Sequence, residues 1–153
     1  MISHHNVIAN TLQTTTYDTV SRKKNEVVTQ VALGVLPLSH IFGLVNIAHV
    51  AMYRGDELVI LPRFSLGEFL KAVERFKIQQ LSIVPPILVQ MISRPEECRK
   101  YNLDSVRLVF TGAAPLGSET MARVQKMYPK WNLGQGYGKY QDPRVGKPRV
   151  IVC

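Results

Sequence analysis

The sequence predicts an α/β fold, with a mainly parallel sheet flanked by helices. Three observations predict it. Short apolar runs alternate with helix-like stretches along most of the chain, the order of repeated βα units. Proline and glycine fall between the runs, at Pro37, Gly55, Pro62 and Pro85-Pro86, where elements should end. Two glycine-bearing turns, 111–117 and 134–138, each follow an apolar run and have a helix-like stretch between them. In parallel sheets, ligands bind at the carboxyl ends of the strands, and both turns fall at such ends.

The elements follow in order. Residues 3–15 read as a helix that Ser3 can cap. Residues 27–36 form a β-rich run ended by Pro37, and 42–53 read as a buried helix stopped by Gly55. A strand at 57–61 closes at Pro62. The next helix has the strongest signal: Ser65 precedes Glu68 by three residues, the spacing of a capping box. Leu66, Phe69, Leu70, Val73 and Phe76 then fall at helical spacing, with Glu68, Lys71, Glu74 and Lys77 turned outward. A short strand at 81–84 leads into a helix at 87–93 started by the two prolines. A strand at 107–111, a helix at 118–128 capped by Ser118 and a last strand at 131–135 complete the pattern.

Composition sets outer bounds. One hundred and fifty-three residues, 46% hydrophobic and 20% charged, suit one domain with a real core. No run is long and apolar enough for a membrane span, and no basic segment before an apolar one marks a signal peptide. The last residues, Val150-Ile151-Val152-Cys153, are neither a peroxisomal Ser-Lys-Leu signal nor a prenylation box. Cys98 and Cys153 have no metal-ligand spacing, so reduced thiols in an intracellular, cytoplasmic protein are expected. The net charge of +8 is partly local, in Arg22-Lys23-Lys24 and in the tail. Without aromatic-interleaved basic patches, this predicts a solvated surface and a phosphate-handling site rather than nucleic-acid binding.

Three segments carry candidate chemistry. In the second turn Gly136 and Gly138 flank Tyr137: either the backbone approaches a ligand beside a stacking ring, or this is a plain turn with a core tyrosine. In the first, Gly112, Ala113 and Ala114 leave space beside the backbone before a helix whose N-terminus offers free N–H groups. Alone, that segment reads better as an ordinary well-capped βα turn. In the third, His40 stands between a strand and an apolar helix. There it either orients a carboxylate or phosphate or serves as a structural hydrogen-bonder. His4, His5 and His49 have no partner pattern, and no metal cluster or Ser-His-Asp constellation is spaced recognisably.

Taken together, these segments resemble the adenylate-forming (AMP-binding) superfamily of acyl- and aryl-CoA ligases, most closely the 4-coumarate–CoA ligase-like branch. LPLSHIFGL (36–44), VFTGAAPLGSE (109–119) and GQGYG (134–138) stand in that family's order and at similar separations. MISHHNV (1–7) and VPPILVQM (84–91) are similar to it as well. The resemblance covers 1–138, a partial adenylation domain from the large N-terminal domain, with 139–153 as a divergent tail. It implies activation of a carboxylic acid with ATP and Mg²⁺ to an acyl-adenylate, then transfer to coenzyme A. By resemblance His40 is catalytic beside the carboxylate, and Phe42 and Asn46 line the acyl pocket. Arg63 contacts coenzyme A, while Gly112, Ala113, Ala114, Gln135, Gly136 and Tyr137 hold the adenylate.

The sequence also departs from that pattern. No Ser/Thr/Gly/Lys-rich phosphate loop precedes 1–7, and Met1 is expected to be an internal methionine serving as a start. Lys139-Tyr140 stands where the family has Thr-Glu, whose Glu holds Mg²⁺. The ribose-binding Asp, the hinge and the domain with the catalytic Lys have no counterpart in the 153 residues. These departures predict a truncated fragment, inactive alone. It would act, if at all, as an adenylate- or acyl-binding module or by pairing with another ligase chain.

Overall fold

Five short apolar runs become five parallel strands. The computed structural model describes residues 3–137 and 151–152. The strands are β1 (Val31–Gly34), β2 (Glu57–Ile60), β3 (Gln80–Ile83), β4 (Leu108–Thr111) and β5 (Asn132–Tyr137). A sixth, β6 (Ile151–Val152), pairs antiparallel with β5. The order across the sheet is β2-β1-β3-β4-β5-β6. Gly34 lies beside Ser82, Ser82 beside Phe110, and Phe110 beside Gly134. The α/β architecture with a mainly parallel sheet is therefore as the sequence predicts. Gly138 and, apart from β6, the expected tail (139–150 and 153, Lys139 and Tyr140 among them) lie outside the described residues.

The helices are α1 (His4–Lys24), α2 (Val50–Arg54), α3 (Leu66–Phe76), α4 (Pro85–Ser93), α5 (Pro95–Cys98) and α6 (Ser118–Met127). Ser3 caps α1, its Oγ accepting from Asn6 N–H at 3.3 Å, as expected. The helix continues past the expected end at Thr15 to Lys24, because nothing before Asn25 breaks it and Arg22 anchors its last turn in the interior. Ser65 accepts from Glu68 N–H at 3.3 Å, as its position before α3 predicts. Phe76, expected on the buried face, is exposed, with the Arg75 guanidinium 5.2 Å from its ring centre. Gly117, not Ser118, occupies the cap of α6, and no side chain bonds there. The four-residue α5 was not expected: its apolar content is too small to give a helical period.

Two further boundaries differ. The 27–36 run yields only the four residues of β1, because Val27 N–H bonds back to Arg22 and Gln30 N–H bonds to Asp56. The expected buried helix at 42–53 is a π-helical segment, Phe42–His49, continued by α2. Its wider turn bonds each N–H to a carbonyl further back than the α-helical spacing assumes. Nor is it buried all round: Gly43, Val45, Ile47, Val50 and Ala51 face inward, while Leu44, Met52 and Tyr53 are exposed.

One face of the sheet carries most of the core. Leu33, Leu81, Ile83 and Val109 meet Phe69, Leu70 and Val73 of α3, Leu88 and Met91 of α4 and Val124 of α6. Full burial of such side chains is worth roughly 1.5–3 kcal/mol each. The π-helical segment lies over β1 on the opposite face, and α1 packs on that segment and on α2. Among the described residues no helix is long and apolar enough to cross a membrane.

A buried charge cluster ties α1 to the sheet. Arg22, counted from sequence as surface charge, is inside. Its Nη1 donates to Asp56 Oδ1 at 2.9 Å, its Nε donates to Asp18 Oδ2 at 2.8 Å, and its Nη2 also meets Asp56. Burial pulls the Arg22 pKa down, but the bonds to Asp56 and Asp18 outweigh it and hold the pKa above its ordinary value. Arg54 joins through Thr15 O and lies 3.7 Å from Asp18 Oδ2. Breaking such a pair strands a charge, which typically costs about 3–5 kcal/mol. Asp56→Ala, whose partner is 4% exposed, should lose about that much in urea unfolding; Asp18→Ala, at an 18% exposed carboxylate, should lose less.

Candidate functional site

Parallel pairing brings the carboxyl ends of β1, β4 and β5 to one edge, and the three candidate segments leave from that edge. They meet around Phe110. Its ring stacks on Phe42, with centroids 5.9 Å apart and planes 7° from parallel. On the neighbouring strand Gly134 and Gly136 lie beneath the same ring. A Cβ on Gly136 would stand 2.5 Å from Phe110 Cζ, and one on Gly134 would stand 3.2 Å from Cδ2. Gly112 closes the group: a Cβ there would meet Gly136 O at 3.3 Å and Phe42 Cε2 at 3.5 Å. The structure thus brings Phe42, Gly112 and Gly136 together, with Phe110 between them.

This corrects the reading of the second turn. Gly134, Gln135, Gly136 and Tyr137 do not turn; they extend β5. The glycines serve to make room for a ring on the adjacent strand, and neither has positive φ. Sequence reasoning missed Phe110. Two glycines two residues apart share one face of a strand, and that spacing was the available signal. It also missed the conformation of Ala113, which adopts φ 70, the left-handed region that alanine enters at a cost of roughly 1–2 kcal/mol.

The other candidates spread along this edge. His40 is exposed, and its Nδ1 accepts from Phe42 N–H at 3.2 Å. That bond places the proton of the neutral ring on Nε2, which is left without a partner among the described residues. Ala113 and Ala114 are exposed, whereas Gly112 and Leu116 are buried, so the loop offers backbone to solvent while anchored beneath. Gln135 is half-buried opposite Thr111 in the ladder. Asn46 turns away from Phe110: it accepts from Thr14 of α1 at 3.2 Å and lines a small crevice with Ala32 and Ser82. Arg63 is exposed just after β2, at the rim strand. Three strand spacings, about 14 Å, separate β2 from β4.

The edge offers several polar groups to a ligand. It has exposed backbone beside small side chains, the N-terminus of α6, and Thr111 Oγ1, buried without a hydrogen-bond partner among the described residues. No three His, Cys, Asp or Glu side chains stand together among the described residues.

Comparison with known proteins shows the family. The family model for AMP-binding enzymes matches residues 1–139. The acyl-CoA ligase easD of Emericella nidulans is 39% identical over 138 residues, 90% of this chain and 24% of that protein. The probable 4-coumarate–CoA ligase 1 of Dictyostelium discoideum is 36% identical over 138 residues, again 90% of this chain and 24% of the other. ATP-bound MatB from Rhodopseudomonas palustris superimposes with a TM-score of 0.74 at 24% identity, over 90% of this chain and 25% of that one. The chain thus spans about a quarter of the length of the relatives it matches.

The Phe110 contact is testable. Gly136→Ala should destabilise by about 1–3 kcal/mol, since the ring has backbone beneath it and Phe42 above. With Phe110→Leu in place, the same change should cost less. Equal losses in both backgrounds, measured by denaturant melts as a double-mutant cycle, would show that the ring is not what excludes a side chain at Gly136.

Proposed function

We propose a function from one premise: the chain belongs to the AMP-binding enzyme family. Its relatives are acyl-CoA and 4-coumarate–CoA ligases, so the proposed reaction is activation of a carboxylic acid by ATP and transfer to coenzyme A. The meeting of Phe42, Gly112 and Gly136 on one sheet edge is the single observation that carries this reading. In it, residues 1–138 form part of the adenylation domain and 139–153 a divergent tail. Gly112, Ala113, Ala114, Gln135, Gly136 and Tyr137 form the adenine side. Phe42 forms the acyl side, while Asn46 contributes from its own crevice.

His40 would sit beside the reacting carboxylate, with Nε2–H free to donate to it while Nδ1 stays bound to Phe42 N–H. Such a donor, fixed before the substrate arrives, would orient the carboxylate so that its other oxygen attacks the α-phosphorus of ATP as pyrophosphate leaves. Arg63 would meet the coenzyme A nucleotide. ATP supplies the leaving pyrophosphate. The 153 residues alone are proposed to bind adenylate weakly without catalysing its formation, since Lys139-Tyr140 stands where the family has Thr-Glu.

Two measurements test this. Calorimetry of the chain with a non-hydrolysable acyl-adenylate analogue should give weak saturable binding; no heat at millimolar ligand would exclude a retained nucleotide site. Acid-dependent exchange of pyrophosphate into ATP should be absent for the 153 residues alone. Residues 3–137 should support that exchange when they replace the matching quarter of an intact relative such as easD. In that graft, His40→Ala should lower exchange by about 10²-fold, the scale of a misplaced reacting group.

A further inference from the structure

The opposite edge of the sheet, at the amino ends of β4 and β5, holds a separate cavity of about 690 Å³ open to solvent. Its size falls within the range of small-molecule sites. Leu103, Val106 and Trp131, all buried, form its floor, and the half-buried Met127 and Tyr128 supply its exposed apolar surface. The Tyr128 and Trp131 rings stack face to face, with centroids 3.9 Å apart and planes 7° from parallel. Backbone bonds hold the pair rigid: Tyr128 N–H donates to Val124 O at 2.8 Å, and Trp131 N–H donates to Tyr128 O at 3.1 Å.

The rim is cationic. Of its three basic side chains, Arg99 is engaged by Glu96 at 2.7 Å, and Lys130 lies 3.9 Å from Asp104. Lys126 has no ion-pair partner among the described residues. The lining thus has one uncompensated positive charge beside a flat apolar wall. Burial, and next the hydrogen bond to Cys98, raise the Tyr128 pKa well above its ordinary value, so its phenol adds no opposing negative charge.

We propose that this cavity is a second binding site, taking a planar apolar molecule that carries a single carboxylate. The flat body would lie along the half-buried Tyr128 ring, which Trp131 backs, and the carboxylate would face Lys126, with Lys130 close by. Neither the Phe110 cluster nor the family reading places a ligand at this edge.

Trp131 is the chain's one tryptophan, so its indole N–H gives a single, site-specific magnetic resonance signal. Titrating the ¹⁵N-labelled full chain with 2-naphthoate should shift that signal saturably by about 5 mM. Lys126→Glu with Lys130→Glu should weaken binding at least about fivefold, and the uncharged 2-naphthalenemethanol should bind comparably weakly. Excess adenosine monophosphate should leave the shift in place. No saturable shift overturns the proposal, as does equal binding of the alcohol. Undiminished binding by the double variant, with its amide spectrum still dispersed, overturns it too. So does displacement by adenosine monophosphate, which would move the ligand to the other edge.

Discussion

Parallel strand pairing is the constraint from which the rest follows. Four consecutive neighbour pairs, β2–β1, β1–β3, β3–β4 and β4–β5, all run the same way. Each carboxyl end must then emerge on one edge, and each return path must cross a face of the sheet as a helix or loop. Gly112 and Gly136 need no special attraction to converge there: the common direction of β4 and β5 delivers both to the same rim. Packing then refines the meeting. The row Gly34, Ser82, Phe110, Gly134 across the sheet is small, small, large, small, and the large ring occupies the room its neighbour leaves.

Much of this was legible in the sequence because it rests on local signals. Ser65 before Glu68 announced α3, Pro85-Pro86 announced α4, and β4 ended at Thr111 as its apolar run does. Two of the failures share a cause, namely partners distant in sequence. Arg22 looks like part of a basic run, and only the fold supplies Asp56 to bury it. Gly134 and Gly136 look like turn residues, and only the pairing of β4 with β5 puts Phe110 over them. The π-helical winding at Phe42–His49 escapes a period count because that count assumes α-helical spacing. At the site, the motif order identified His40, Phe42, Gly112 and Gly136 as a group. It had no means of showing that Asn46 leans toward Thr14 instead.

The two edges of the sheet divide the chemistry. One offers backbone, small side chains and a fixed imidazole; the other offers stacked aromatic rings and, among the described residues, an unpaired amine. The core of Leu81, Ile83, Val109 and Phe69 separates them. A close-packed interior of that kind transmits displacement poorly by gradual deformation and responds by discrete repacking. Occupants at the two edges would therefore influence one another only through shifts of whole strands or helices, such as α6, which begins beside the first edge and ends beside the second.

Ala113 carries a consequence of its own. Its backbone at φ 70 has the hand natural to a D-residue, yet an L-residue occupies it, in the loop that leaves β4. A glycine would relieve that mismatch but would also loosen the loop in the unfolded chain and in the folded one. Alanine instead restricts the choices: its methyl group makes the mirror-image conformation the exception, tolerated only while Leu116 and Gly112 stay clamped beneath. The loop thus holds a strained backbone between two buried residues, Gly112 and Leu116, whose packing fixes it.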